Sequence, residues 1–208
     1  MITQICLEAG LDPSAVIGGK LPLIGGNGRA GKSELMVCEA CEYVDTFLQL
    51  TPAVSIILNI DADHLDYFKT LDNIIKSFRQ FARQTTRALI VNGDDENTRK
   101  AVQGLDHAEI LTFGLSPEND YYAAQIHDGA RVCESFALMK RGQKLADVSL
   151  SVPGKHNILN ALAAAAAADY LGVPAEQIAH GLHSFTGVHR RFEILGNFGG
   201  ITVADDFA

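Results

Sequence analysis

The order of hydrophobic patterns in this chain predicts an α/β fold: a mostly parallel sheet flanked by helices, with an antiparallel β-hairpin extension. Three observations carry that expectation. Between Val54 and Phe113, short apolar runs alternate with helical periodicity, a β-α-β-α-β order that calls for a parallel sheet with covering helices. From Tyr121 to Val152 polar and apolar residues alternate, with turn signals at Asp128-Gly129 and Arg141-Gly142, as in antiparallel hairpins. From Asn157 to Leu171 almost every residue is apolar, the mark of a buried helix.

In chain order, residues 1 to 10 read as a helix closed by Gly10. Leu11 to Ser33 is glycine-rich and reads as loop, Leu35 to Ala40 as a strand, and Val54 to Ile60 as a firmer, buried one. Leu71, Ile74, Ile75, Phe78, Phe81 and Ala82 recur at helical spacing behind Thr70, a candidate cap. Strands follow at Ala88 to Val91 and Ile110 to Phe113, with a helix from about Glu96 to Gln103 between them. A last helix spans about Ala175 to Ser184, and Arg191 to Ala208 reads as two short strands around Gly199-Gly200. No repeat or linker divides the 208 residues, which suit a single domain.

Composition narrows the function. A hydrophobic share of 47% with 20% charged residues is ordinary for a globular domain, and a net charge of −8 argues against a nucleic-acid binder. No opening segment has the build of a secretory signal, and Ala161 to Ala168 is too short to span a bilayer. Four cysteines make no disulfide framework in a chain of this size. The expectation is a cytoplasmic protein that binds neither nucleic acid nor membrane.

The stretch AVSIILNIDADHLDYF (Ala53 to Phe68) is the organising one. A buried strand leads into Asp61, Asp63, His64 and Asp66, and ligands of open α/β sheets sit beyond the carboxyl ends of strands. Carboxylates and one imidazole suit Mg²⁺ or Mn²⁺ on a phosphate; a solvated acidic turn is the plainer alternative. Gly26 to Ser33 matches the phosphate-loop expression G-x-x-x-x-G-K-[ST], but needs a strand before it and a helix after it. Otherwise it is a flexible surface loop, and a self-contained NTPase using Gly31, Lys32 and Ser33 stands or falls with that context. Cys38-x-x-Cys41 admits a zinc site, a redox pair or two semi-buried thiols. Glu39 and Glu42 lie past the end of a strand. His156, Asn157 and Asn160 open the alanine-rich helix, where amides at i and i+3 share a face and can read the edge of a base, or where Asn157 simply caps. His189-Arg190-Arg191-Phe192-Glu193 offers guanidiniums suited to phosphate oxygens, or plain surface charge.

Together GGNGRAG, MVCEACEY, SIILNIDADHLDYF, LIVNGDDE, VPGKHNILNALAA, FTGVHRRFE and VADDFA resemble, in order, the central domain of the Mur ligases over nearly the whole chain. The resemblance implies a phosphate-loop-type architecture without its phosphate loop, and an ATP-dependent amide ligase of peptidoglycan synthesis that uses Mg²⁺. ATP would phosphorylate the carboxylate of UDP-N-acetylmuramate, and the amine of L-alanine would attack the acyl phosphate. Carried over by position, Glu39 and His64 fall at Mg²⁺ positions, His156, Asn157 and Asn160 at adenine contacts, and Arg191 at the ATP phosphates. Asp205 and Asp206 match an acidic hinge pair. No counterpart of a modified lysine follows Phe78, which points to L-alanine as the amino acid added. The chain is expected to be one incomplete central domain, 1–208, inactive as a ligase alone; a degenerate, non-catalytic binding module is the remaining alternative.

Overall fold

Thr70 is extended and its hydroxyl accepts from the Asn73 N–H at 3.3 Å, so the helix predicted behind it starts there. This is α3 (Leu71–Gln84) in a computed structural model that describes residues 1–128, 133–191 and 193–206. Before it come α1 (Ile2–Glu8), β1 (Ser14–Leu21), β2 (Gly26–Arg29), β3 (Met36–Cys38), β4 (Val54–Ile57) and the one-turn α2 (Leu65–Phe68). After it come β5 (Ala88–Asn92), α4 (Glu96–Val102), β6 (Glu109–Gly114), β7 (Tyr121–Asp128), β8 (Cys133–Lys140) and β9 (Gln143–Pro153). The chain closes with α5 (His156–Tyr170), α6 (Ala175–Ser184), β10 (Glu193–Phe198) and β11 (Ile201–Asp205). Gly129 of the expected Asp128-Gly129 turn, Phe192, and Phe207 and Ala208 of VADDFA lie outside the described residues.

The main sheet has the order β4-β5-β6-β7-β8-β9; β4 to β7 run parallel and β8 and β9 antiparallel, as the two hydrophobic patterns predicted. Every residue of β5 is buried, the signature of a strand covered on both faces. Its pleat divides the core: Leu89 and Val91 meet Ile74, Ala82 and Ala101 of α3 and α4, while Ile90 faces α5. Ala161 to Ala168 of α5 are all buried, and all but Leu162 have side chains of one carbon, which let that helix lie close against the strands.

The glycine-rich segment departs from its expected loop form. Ser14 to Leu21 is strand β1, pairing antiparallel with β2 and parallel with β3 in a separate three-stranded sheet. α1 ends as expected at Gly10 (φ +75°): the Leu11 N–H donates to Cys6 O and the Gly10 N–H to Leu7 O, closing the last turn.

Candidate functional site

β3 runs parallel to β1, so Glu39 emerges beyond the carboxyl end of the strand. Its N–H donates to Val16 O at 2.8 Å, and its carboxylate Oε2 accepts from the Gly18 N–H at 2.5 Å. A Cβ at residue 18 would itself lie 2.5 Å from that carboxylate, so the approach requires glycine. Two residues further along β1, the Lys20 carbonyl accepts from the His189 N–H at 3.1 Å. One strand thus anchors both the Glu39 carboxylate and the loop that carries Arg191.

Within that loop, Glu193 accepts from the Arg190 N–H at 2.9 Å and pairs with His189 Nδ1 at 2.9 Å; the two bonds, the backbone one first, hold its carboxyl below the usual range. Arg190 has φ +62° and its Nε lies 3.9 Å from Asp205 Oδ2, tying β11 to the loop. Arg191 is exposed and its N–H donates to Val188 O.

His64 begins α2 in the left-handed region, φ +52°. Its Nε2 lies 3.4 Å from Glu42 Oε1, and its ring is 4.8 Å from that of Tyr43. The segment after Glu39 is therefore brought against His64 by Glu42 and Tyr43. The strand end that delivers His64 is itself fixed by α4: Asp95 caps that helix by accepting from the Thr98 N–H at 2.7 Å and also accepts from the Ile60 N–H at 3.4 Å. Asn97 Nδ2 donates to Ile60 O at 2.9 Å.

At the start of α5, Asn157 does not cap the helix, because Nδ2 donates backwards to Pro153 O at 2.6 Å. Its Oδ1 accepts from Asn160 Nδ2 at 3.1 Å, so the two amides form a chain along one helix face. Both are half-buried and His156 is exposed. Among the described residues no hydrogen bond joins this set to Glu39 or His64.

The phosphate-loop reading of Gly26 to Ser33 fails. Gly26 to Arg29 is strand β2, and a strand rather than a helix follows. The groups that would cradle a phosphate already hold an anion of the chain itself: Asp12 takes Arg29 Nη2 at 2.5 Å and the Lys32 N–H at 2.9 Å. The Ser33 hydroxyl donates to Asp12 O, and the Gly31 N–H to Ser14 Oγ. The self-contained NTPase goes with it. Cys38 and Cys41 are exposed free thiols rather than semi-buried ones.

Among the described residues no three His, Cys, Asp or Glu side chains are gathered as a metal cage. The donor set fits Mg²⁺ of the kind held by one or two carboxylates, with waters and substrate phosphates completing the shell. Sequence reasoning missed Asp12, and it missed Asp94, which accepts from Leu115 N–H, Ser116 N–H and Asn119 Nδ2. It also missed Asp45, whose carboxylate accepts from the Tyr67 hydroxyl at 2.8 Å and from Ser77 Oγ. These bonds connect residues far apart in the chain, and no local pattern announces them.

A covered parallel sheet with carboxylates beyond strand ends, paired amides opening a helix and an arginine-bearing loop defines an α/β domain whose polar groups gather where ligands of such sheets sit. The model of the Mur ligase middle domain matches residues 20–168, and the chain belongs to that family. It is 45% identical over 210 aligned residues to the UDP-N-acetylmuramate–L-alanine ligase of Caldanaerobacter subterraneus subsp. tengcongensis, and 45% identical to that of Agathobacter rectalis. All of this chain is covered in both, against 45% and 46% of the relatives, so it spans about half their length. The crystal structure of UDP-N-acetylmuramate-alanine ligase MurC from Thermotoga maritima superposes with a TM-score of 0.85 at 28% identity, over 100% of this chain and 46% of that one. A murein peptide ligase from Psychrobacter arcticus gives 0.79 at 25% identity, over 100% of this chain and 48% of that one.

Proposed function

We propose that these residues form the nucleotide-binding core of an ATP-dependent ligase that joins L-alanine to UDP-N-acetylmuramate, a cytoplasmic step in making the cell wall. The similarity to named ligases over the whole chain supports the substrates. The observation that carries the chemistry is β1, which holds the Glu39 carboxylate at Gly18 and the Arg191 loop at Lys20. A carboxylate resists attack by an amine until one oxygen becomes a good leaving group, so phosphorylation by ATP precedes amide formation. Positioning and charge neutralisation then govern the phosphoryl step.

In this reading Glu39 is the Mg²⁺ ligand, with one oxygen oriented by the Gly18 N–H. His64, held by Glu42, would serve a second Mg²⁺. Mg²⁺, when bound, neutralises charge on the ATP phosphates. Arg191 contributes a guanidinium to the same oxygens. Asn160, steadied by Asn157, presents its amide oxygen to the exocyclic amine of adenine, and His156 flanks the base. No helix among the described residues is long and apolar enough to cross a membrane.

Calorimetric titration with Mg²⁺-ATP tests the reading. Binding by the 208-residue chain that weakens in Asn160→Ala and depends on Mg²⁺ supports it. Binding indifferent to Mg²⁺ and to Asn160 refutes the assignment of this site, and a folded chain that takes up neither points to the non-catalytic binding module.

A further inference from the structure

Eight non-glycine residues among those described have positive φ, and four of them fall on two short segments: Val44 and Asp45, and His64 and Lys69. Strain of this kind persists only where surrounding contacts over-determine it. Here the contacts are explicit. On one side Glu42 and Tyr43 touch the His64 ring; on the other, Asp45 accepts from the hydroxyl of Tyr67, on the same turn of helix as His64. Asp45 also accepts from Ser77 Oγ on α3, whose side chain is buried. Two cross-links therefore fasten the segment that begins at Glu39 to the segment that begins at His64, and a third fastens both to the core.

Glycine would be the easier residue at φ +57°. Its place is taken by a residue whose carboxylate does something glycine cannot. We propose that Asp45 is a positioning residue: its bridge to Tyr67 and Ser77 fixes the separation of Glu39 and His64, and so the geometry in which the two receive the metal–nucleotide complex. This rests on the assignment of Glu39 and His64 to that complex. Asp45 does not touch the ion; it acts through the backbone on either side, as outer hydrogen-bond partners of metal ligands do.

The test uses Mn²⁺ in place of Mg²⁺, because unbound Mn²⁺ is counted directly by its paramagnetic resonance signal. Wild type, Asp45→Gly, Tyr67→Phe and Val44→Gly are titrated in the presence of ATP. Asp45→Gly removes the bridge but suits the backbone, so the chain should stay folded with its thermal midpoint lowered only by the loss of the Ser77 bond, whereas its Mn²⁺ affinity should drop about tenfold, as on losing a partner outside the ligand shell. Tyr67→Phe keeps the ring and loses one arm of the bridge, and should weaken binding in the same direction. Val44→Gly relieves neighbouring strain without touching the bridge and should bind as wild type does. Equal affinity in wild type, Asp45→Gly and Tyr67→Phe would overturn the role of Asp45 while leaving the site in place. A wild-type chain that binds ATP but no Mn²⁺ would overturn the metal assignment, and this proposal with it.

Discussion

The backbone N–H of Gly18 and the carboxylate of Glu39 meet at 2.5 Å across two parallel strands. The contact exists because residue 18 has no side chain. It turns a solvent-facing glutamate, with several rotamers of its own, into a group whose position is set by the sheet.

On the proposed role of Glu39 as a Mg²⁺ ligand, Gly18→Ala should therefore weaken metal binding without changing Glu39 itself. The new Cβ would stand 2.5 Å from both oxygens of Glu39, so the carboxylate must swing away. The backbone at residue 18 has no positive φ, so the fold should tolerate alanine. The expected result is a loss of about tenfold in Mg²⁺-dependent nucleotide affinity by calorimetry, similar to Glu39→Gln, with little change in melting temperature. A Gly18→Ala variant that binds as tightly as wild type would show that the Gly18 bond does not orient the ligand.

The same contact explains what could be read from the amino-acid order and what could not. α3 was legible because its apolar spacing and its Thr70 cap lie within a few residues of one another. β5 was legible because burial on both faces leaves a continuous apolar run. β1 was not: Gly18 and Gly19 read as strand breakers, yet each is small because a distant side chain, Glu39 or Val188, presses on it. Glu39 announced itself at the end of a strand, whereas Asp12 and Asp45 act through partners 17 to 32 residues away. The G-x-x-x-x-G-K-S string could not be decided from its letters, which record glycine flexibility but not what the amides bond.

Lys32→Ala should leave nucleotide affinity unchanged to within about 0.5 kcal/mol, the usual scale for a surface substitution. The side chain is exposed, and it is the backbone N–H, retained in alanine, that Asp12 accepts from. Loss of ATP binding in this variant, with the fold intact, would restore the phosphate-loop reading against the geometry.

Tyr121→Phe tests the join between the parallel and antiparallel parts of the sheet. The buried Tyr121 hydroxyl donates to Asp169 Oδ2 at 2.5 Å, and Lys140 Nζ shares that oxygen at 2.5 Å. Burial first, and then the carboxylate, push the phenol far above its ordinary range, so it remains a donor throughout the accessible pH range. Because Lys140 still compensates Asp169 in the variant, the cost should be about 1–2 kcal/mol, read as a shift of the urea midpoint at constant m-value.

The hairpin that carries Glu39's partner strand should loosen in acid, and the sign follows from Asp12. The guanidinium of Arg29 first, and then the Lys32 N–H, hold its carboxyl below the ordinary value of 3.8. A carboxylate whose folded pKa is depressed contributes stability in full above its unfolded value and loses it as pH falls through the folded one. The stability difference between wild type and Asp12→Asn should therefore be constant at neutral pH and shrink below 3.8. Because the Asp12 carboxylate is only half-buried, the difference should also shrink as salt rises at neutral pH, when the Debye length falls from about 10 Å at 0.1 M to about 3 Å at 1 M. Equal stability of the two proteins at neutral pH and low salt would mean that Asp12 holds the hairpin through the Ser33 bond to its backbone carbonyl, a contact that asparagine keeps.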